Sequence, residues 1–459
     1  MGSAAATVIG PDLADLWELL PGPTELDPTA CRVVEPTGPV AAGYRVADIA
    51  AATVGAATLA AADAGVARGR GPGREVTIET DHAIADWHGY VAVDGRTPPM
   101  WAELSGRYRA ADDRFVQLHC NFPHHAAGVA ARLGVDQVRD QVAAAIAGWD
   151  AFELEDVLRR DGMIAAAYRR PAEWAAHPHA AATAVLPLIT VDRIGDAEVS
   201  SPDPAPGDRP LSGVKVLDCS RVLAGPVCGR TLAAHGAQVL RIGAAHLPSI
   251  EGAVLATGFG KRNAYVDLDT DDGRARFARL LREADVLVDA YRPGALAARG
   301  FSAERAADLR PGIVVIEVCA FDWVGPWAGR RGYDSIVQST TGIALGQADA
   351  IGADEPVHLP VQALDFGTGY LAAFAAGRLL AEQARRGGSF RARLSLLRTR
   401  NWLVGLGGPQ PFQPGPPADI ERYLTTVDSD FGSLTAVSPV AGRWDLAPSP
   451  LGSSPAEWV

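Results

Sequence analysis

Residues 332–334, Gly-Tyr-Asp, place a carboxylate at the mouth of a segment, 335–345, that reads as a helix. Two roles are open to Asp334 there. It can cap the helix by accepting backbone N–H bonds, a position where Asp is preferred, or it can act as a nucleophile. The apolar run 313–321 reads as a buried parallel strand and Gly325-Pro326 as a turn. Asp334 therefore follows the carboxyl end of a strand, where open α/β sheets place their ligands. A second carboxylate, Asp365 in Leu-Asp-Phe-Gly-Thr-Gly, begins the next predicted helix, 368–384, and its simplest role is also a cap.

The elements that must position these groups alternate in type. An apolar strand, 211–220, leads through a turn at 221–226 into a helix at 226–235, with Pro226 suited to a first helical position. Strands follow at 238–242, 264–268 and 286–290, with an amphipathic helix at 271–284 that is apolar at Phe277, Leu280 and Leu281. Strand–helix alternation over this length predicts an α/β fold with a doubly wound parallel sheet.

Composition bounds the function. The chain has 459 residues and a formal net charge of -12 without basic blocks, which argues against a nucleic-acid partner. Five cysteines, at 31, 120, 219, 228 and 319, are odd in number and lack Cys-x-x-Cys spacing, as expected for free thiols in a reducing, cytoplasmic compartment. The first residues show no basic-then-apolar leader pattern. The Ala-rich stretch 46–66, interrupted by Asp48 and Asp63, is expected to be a packed helix and not a membrane span. His124-His125 and His177 to His179 lack metal-ligand spacing and are expected to be solvated loop residues, so no metal is expected.

Five ordered motifs resemble the class III coenzyme A transferases, also called the CaiB/BaiF family. They are LSGVKVLDCSRVLAGP at 211–226, GKRNAYVDLDTDDGR at 260–274, ADVLVDAYRPGALAARG at 284–300, GYDSIVQSTTGIA at 332–344 and LPVQALDFGTGYLAA at 359–373. The resemblance implies a Rossmann-like domain that binds a coenzyme A thioester, a smaller α/β domain, and an interlocked homodimer. It also implies that Asp334 attacks the thioester carbonyl, gives a mixed anhydride, and is converted by the returning thiolate into an aspartyl thioester that a small carboxylic acid then attacks. Coenzyme A is the carrier and no metal or redox cofactor is needed. Gly332 and Gly342 are possible contributors of backbone N–H groups to the tetrahedral oxyanion.

By the same resemblance, Arg221, Val222, Ala224, Arg241, Lys261, Arg262 and Arg292 fall on coenzyme A positions, and arginine suits phosphate through planar bidentate donation. Gly260 departs from the asparagine common before Lys-Arg, and the glycine-rich loop of the formyl-coenzyme A subgroup is missing from the sequence. The racemase branch pairs the aspartate matching Asp365 with a histidine where this chain has Tyr333, and a phenol of ordinary pKa near 10 is a poor general base at neutral pH. Transfer therefore leads, with a racemase, isomerase or hydrolase of acyl thioesters as one alternative and a non-catalytic coenzyme A-binding homologue or assembly subunit as another.

The organisation departs from the family, whose members begin with the strand found here at 211. Residues 1–45 read as an N-terminal arm, 46–200 as a small-domain-like half, 201–210 as a linker, 211–400 as the Rossmann-like domain and 401–459 as a tail returning to it. The helix and strand at 48–80 resemble those at 365–397, with Asp48 matching Asp365 and the turn at 69–73 matching that at 385–388, so the domain order reads as partly duplicated or permuted.

Overall fold

Apolar runs covered on both faces make the central strands, as a parallel sheet between helical layers requires. The computed structural model describes residues 12–20, 22, 24, 26–38, 40–70, 75–199, 207–414 and 419–459. Its main sheet has seven strands: β1 (Thr190–Gly195), β2 (Lys215–Cys219), β3 (Gln238–Gly243), β4 (Lys261–Tyr265), β5 (Val286–Asp289), β6 (Val314–Cys319) and β7 (Ser389–Ser395). Their spatial order is β4-β3-β2-β5-β6-β7-β1. All pairs are parallel except β7 with β1. The direction of winding reverses between β2 and β5, which opens a crevice beyond their carboxyl ends.

The helices that matter to the site are α1 (Val46–Ala67), α2 (Ala224–Ala234), α3 (Asp334–Thr340) and α4 (Ala363–Arg386). Three expected boundaries move. The predicted strand 264–268 runs instead over β4, because Gly260, at φ +73°, turns the chain directly into it. Lys261 and Arg262 therefore sit inside the strand and not before it. The predicted helix 335–345 is divided at Gly342, whose φ of +87° ends α3 before a second helix, Ile343–Ile351. Helix 368–384 starts earlier, at Ala363, which puts Asp365 in its first turn and not in front of it.

The two halves of the chain share their elements. Strand β1, from the first half, forms the antiparallel edge of the main sheet. A three-stranded antiparallel sheet, Gly106–Arg109, Phe115–Leu118 and Ala165–Ala167, packs over helices of the first half. The hairpin Leu424–Ser429 and Gly432–Val437 pairs with Val91–Val93, whereas the final residues run along the main sheet, where Ser454 N donates to Asn263 O at 2.8 Å. Strands Cys31–Val34 and Val76–Glu79 pair in parallel and are joined through α1, the same strand–helix–strand order as β6, α4 and β7. Residues 1–11 of the expected arm, residues 71–74 of the compared turn and residues 201–206 of the expected linker lie outside the described residues.

Helix α1 is long and apolar enough to cross a membrane, and here it is buried against α4. The two backbones come close because Gly377 has no side chain: a Cβ there would lie 2.7 Å from the Ala60 carbonyl carbon. Asp63 on α1 accepts from Arg378 at 2.6 Å and from Arg385 at 2.8 Å on α4, with its carboxylate fully enclosed. Removing one partner of a buried pair strands the other charge, so Asp63→Ala is expected to cost about 3–5 kcal/mol. Urea denaturation followed by circular dichroism measures this, and a loss under about 1 kcal/mol would show that water reaches the arginines.

Candidate functional site

The segments that leave β2 and β5 face each other across the crevice. After β2 come Ser220, Arg221 and Val222, and after β5 come Ala290, Tyr291 and Arg292. Val222 has φ +66°, a conformation a β-branched residue adopts only under local constraint, and α2 begins two residues later. A cleft of about 390 Å³ opens here, with Arg221, Val222, Arg292, Arg331, Gly332 and Tyr333 in its walls. Its opposite wall comes from the first half of the chain, through Phe122, His124 and His125.

The cleft carries uncompensated positive charge. Arg221 donates to the Pro248 carbonyl and lies 4.7 Å over the Phe122 ring, and Arg331 donates to the Gly162 carbonyl at 2.9 Å. Among the described residues, neither these two nor Arg292 pairs with a carboxylate. Other arginines nearby are neutralised, Arg330 by Glu155 and Arg299 by Asp269. Three unpaired guanidinium groups converging on one concave surface form a site for an anion. At the rim His246, Asp267 and Asp269 approach within 4.8 Å of one another.

Asp334 lies immediately behind this wall. Its Oδ2 accepts from the backbone N–H groups of Leu364 at 2.8 Å and Asp365 at 3.0 Å, and its Oδ1 accepts from Gln338 Nε2. The carboxyl thus caps α4 and not its own helix. It is fully buried, and burial pushes its pKa up to about 6 against the lowering effect of those donors. Asp365 is displaced further, well above the usual carboxylate range, first by burial and then by the charge of Asp334, while the Ala224 N–H acts in the opposite direction. Asp365 is the member of the pair that keeps its proton and Asp334 the member that ionises first.

Tyr333 separates the carboxyl from the cleft. Its ring stacks on His119 at 3.8 Å and 14° and lies 6.3 Å from Phe122, and burial pushes its hydroxyl pKa up to about 12. Gly332 is in the cleft wall, where a Cβ would come within 2.6 Å of the Phe321 ring. Gly342 instead meets Pro171 at 2.7 Å and is not among the lining residues, so it offers the cleft no N–H.

The seven expected coenzyme A residues divide. Arg221, Val222 and Arg292 line the cleft, and Arg241 lies in adjoining pockets with Arg221. Ala224 is the first residue of α2 and faces Asp365. Lys261 is directed inward, its Nζ 2.7 Å from Asp218 Oδ2 and 2.7 Å from the Pro226 carbonyl, in the space left by Gly229. Arg262 donates to the Glu457 carbonyl at 2.9 Å in the C-terminal segment. Neither reaches the cleft, because both lie within β4 and its neighbours supply their partners.

The histidines also differ from expectation. His125 is 3% exposed, in the first turn of a helix, Pro123–Leu133, and His179 is fully buried with its Nε2 2.7 Å from the Phe321 carbonyl. Neither is a solvated loop residue. Pro123 at a first helical position is a sequence signal for where that helix starts. Nothing in the sequence says that it faces a cleft built some hundred residues later.

A model of the family described as CoA-transferase family III matches residues 211–415. The chain is 29% identical over 323 residues to the acetyl-coenzyme A transferase nodX of Hypoxylon pulicicidum, covering 66% of this chain and 54% of that protein. It is 33% identical over 198 residues to the succinate–glutarate CoA-transferase of Agrobacterium fabrum, covering 39% and 48% of the two chains. Among solved structures, a CaiB/BaiF family protein from Brucella suis gives a TM-score of 0.38 at 27% identity, over 49% of this chain and 65% of that one. The chain spans about half the length of the curated relatives it matches.

Two outcomes follow from this geometry. Lys261→Met leaves Asp218 buried and unpaired and is expected to cost about 3–5 kcal/mol in a denaturant titration, whereas Arg292→Ala at the exposed rim changes stability by about 0.5 kcal/mol or less. The raised pKa values of Asp334 and Asp365 mean that the folded chain binds more protons than the unfolded one above the ordinary carboxyl range. The stability this pair contributes is therefore full at low pH and lost as pH rises through the raised values. The Tm of the wild type minus that of Asp365→Asn should fall as pH rises from the ordinary carboxyl range through about 6 and beyond, and a constant difference in scanning calorimetry would contradict the coupling.

Proposed function

We propose, from the match of residues 211–415 to the model of CoA-transferase family III, that the protein moves coenzyme A between an acyl thioester and a carboxylic acid, with Asp334 as nucleophile. The observation that carries this reading is the placement of the Asp334 carboxyl. It sits on two backbone N–H groups at the start of α4, one residue behind a cleft that three unpaired arginines make attractive to an anion.

In the proposed sequence one Asp334 oxygen attacks the thioester carbonyl, a C–O bond forms, the C–S bond breaks and the coenzyme A thiolate leaves. The thiolate then attacks the aspartyl carbonyl of the mixed anhydride, releasing the first acid as its carboxylate. The acceptor carboxylate attacks the resulting aspartyl thioester and expels the thiolate again. Its final attack on the acyl carbonyl forms the new thioester and restores Asp334. Four exchanges between acyl derivatives replace one direct exchange, and no net proton is moved. The Tyr333 ring must turn aside for the thioester to reach the carboxyl, and the backbone at Gly332, in the same wall, is assigned to the tetrahedral oxyanion.

The phosphates of coenzyme A are assigned to Arg221, Arg241 and Arg292, on the strand ends around the crevice. The strand order β4-β3-β2-β5-β6-β7 supports a Rossmann-like reading of this domain. Tyr333 is a poor base for proton abstraction from an acyl group, since it holds its proton more tightly than a free phenol. The matching strand–helix–strand units around α1 and α4 support partial duplication, in which the first copy has lost the site: Asp48, matching Asp365, is solvent-accessible and paired with Arg45 at 2.7 Å. Five cysteines without a disulfide support a reducing, cytoplasmic setting, and a homodimer remains the proposed assembly.

With an acyl thioester and no acceptor, intact mass spectrometry should show the wild type gaining the mass of the acyl group or of coenzyme A, and hydroxylamine should convert Asp334 to a hydroxamate. Asp334→Ala should lose both signals, and normal turnover by that variant would remove the nucleophile. Arg292→Ala should weaken coenzyme A binding by about 1–3 kcal/mol in titration calorimetry.

A further inference from the structure

The wall of the cleft supplied by the first half contains a polar group that the steps above do not use. His125 is 3% exposed and lines the cleft, yet neither of its ring nitrogens has a protein partner. Buried polar atoms are almost always paired, and a neutral imidazole offers one donor and one acceptor. The groups around it are Phe122, whose ring meets it edge-on at 5.7 Å, His124 at 4.1 Å, and the charges of Arg221 and Arg331. Two guanidinium groups beside a buried imidazole of the cleft wall, neither of whose nitrogens has a partner, leave donors that lack an acceptor.

Position selects between the anions that would fill it. Phe122, against which His125 packs, also contacts Tyr333, next to Asp334. The reacting carbonyl must come to this end, and of the two guanidinium groups beside His125 only Arg331 is not already assigned to a coenzyme A phosphate. A carboxylate is the remaining anion in the reaction. We propose that His125 and Arg331 hold the carboxylate of the acceptor acid for attack on the aspartyl thioester, a role that rests on the transfer reading above. Burial first, and then His124, Arg331 and Arg221, keep the imidazole neutral, and an arriving carboxylate accepts its N–H bond.

The two half-reactions separate this role from that of Asp334. Wild type, His125→Leu and His125→Gln would each be followed by donor-only acylation, by coenzyme A titration and by steady-state kinetics with the acceptor varied. Loss of a hydrogen bond to a charged group corresponds to roughly 10- to 100-fold. His125→Leu should raise the acceptor KM by that factor and leave donor-only acylation and coenzyme A affinity as in wild type, and His125→Gln, which keeps an N–H donor, should recover most of the loss. An unchanged acceptor KM in His125→Leu, an equal loss in His125→Gln, or a fall in coenzyme A affinity would each overturn the assignment, the last by moving His125 to the phosphates. Absence of acylation in the wild type with every donor would instead overturn the transfer reading itself.

Discussion

The site depends on one capping interaction, in which the Asp334 carboxyl accepts the Leu364 and Asp365 N–H groups at the start of α4. The first N–H groups of a helix have no partner within it, and a buried helix end must find one elsewhere. Here the partner comes from α3, so a single carboxylate ties two helices together and fixes its own orientation relative to the sheet. The same burial that makes the bond necessary raises the proton affinity of the carboxyl. Asp365, in the first turn of α4 and facing the N–H of Ala224 on α2, takes up the conflict between two adjacent acids by holding its proton. Cap, coupled pair and position behind Tyr333 are three consequences of one placement.

Charge is handled in opposite ways in the core and in the cleft. Inside, each buried cation is matched: Lys261 with Asp218, Arg230 with Asp86, Arg378 with Asp63, and Arg398 with Asp322. Such pairs add little net stability over apolar packing, but losing one partner is costly, so they fix which elements meet. In the cleft Arg221, Arg292 and Arg331 are left without carboxylates. An acidic chain with a locally positive concavity repels most of its surface from an anion and draws it to one place.

The first half of the chain completes the structure of the second. Strand β1 closes the main sheet at one edge, α1 covers α4, and Phe122 and His125 close the cleft opposite the strand ends. The contact between α1 and α4 is possible only because Gly377 lets two backbones meet, and the Asp63 ion pairs hold it in register. A polypeptide that folds in this way builds both walls of its cleft from one chain.

Much of this was legible in the sequence. The alternation from 211 to 397 gave the parallel sheet because periodicity is a local property, and the glycine–tyrosine–aspartate run located the carboxyl because Asp334 lies beside the element it follows. What local patterns could not carry was direction. Lys261 sits in a run that suits a phosphate loop, yet three residues of strand register and the gap at Gly229 turn it inward to Asp218. Asp334 looked like the cap of its own helix, and only packing assigned it to α4. His125 looked like a loop residue because the cleft it lines is made by residues more than ninety positions later. Sequence determined which groups exist and which elements carry them; tertiary structure decided which way each points, because partners for buried charges and unpaired N–H groups are found across the fold and not along the chain.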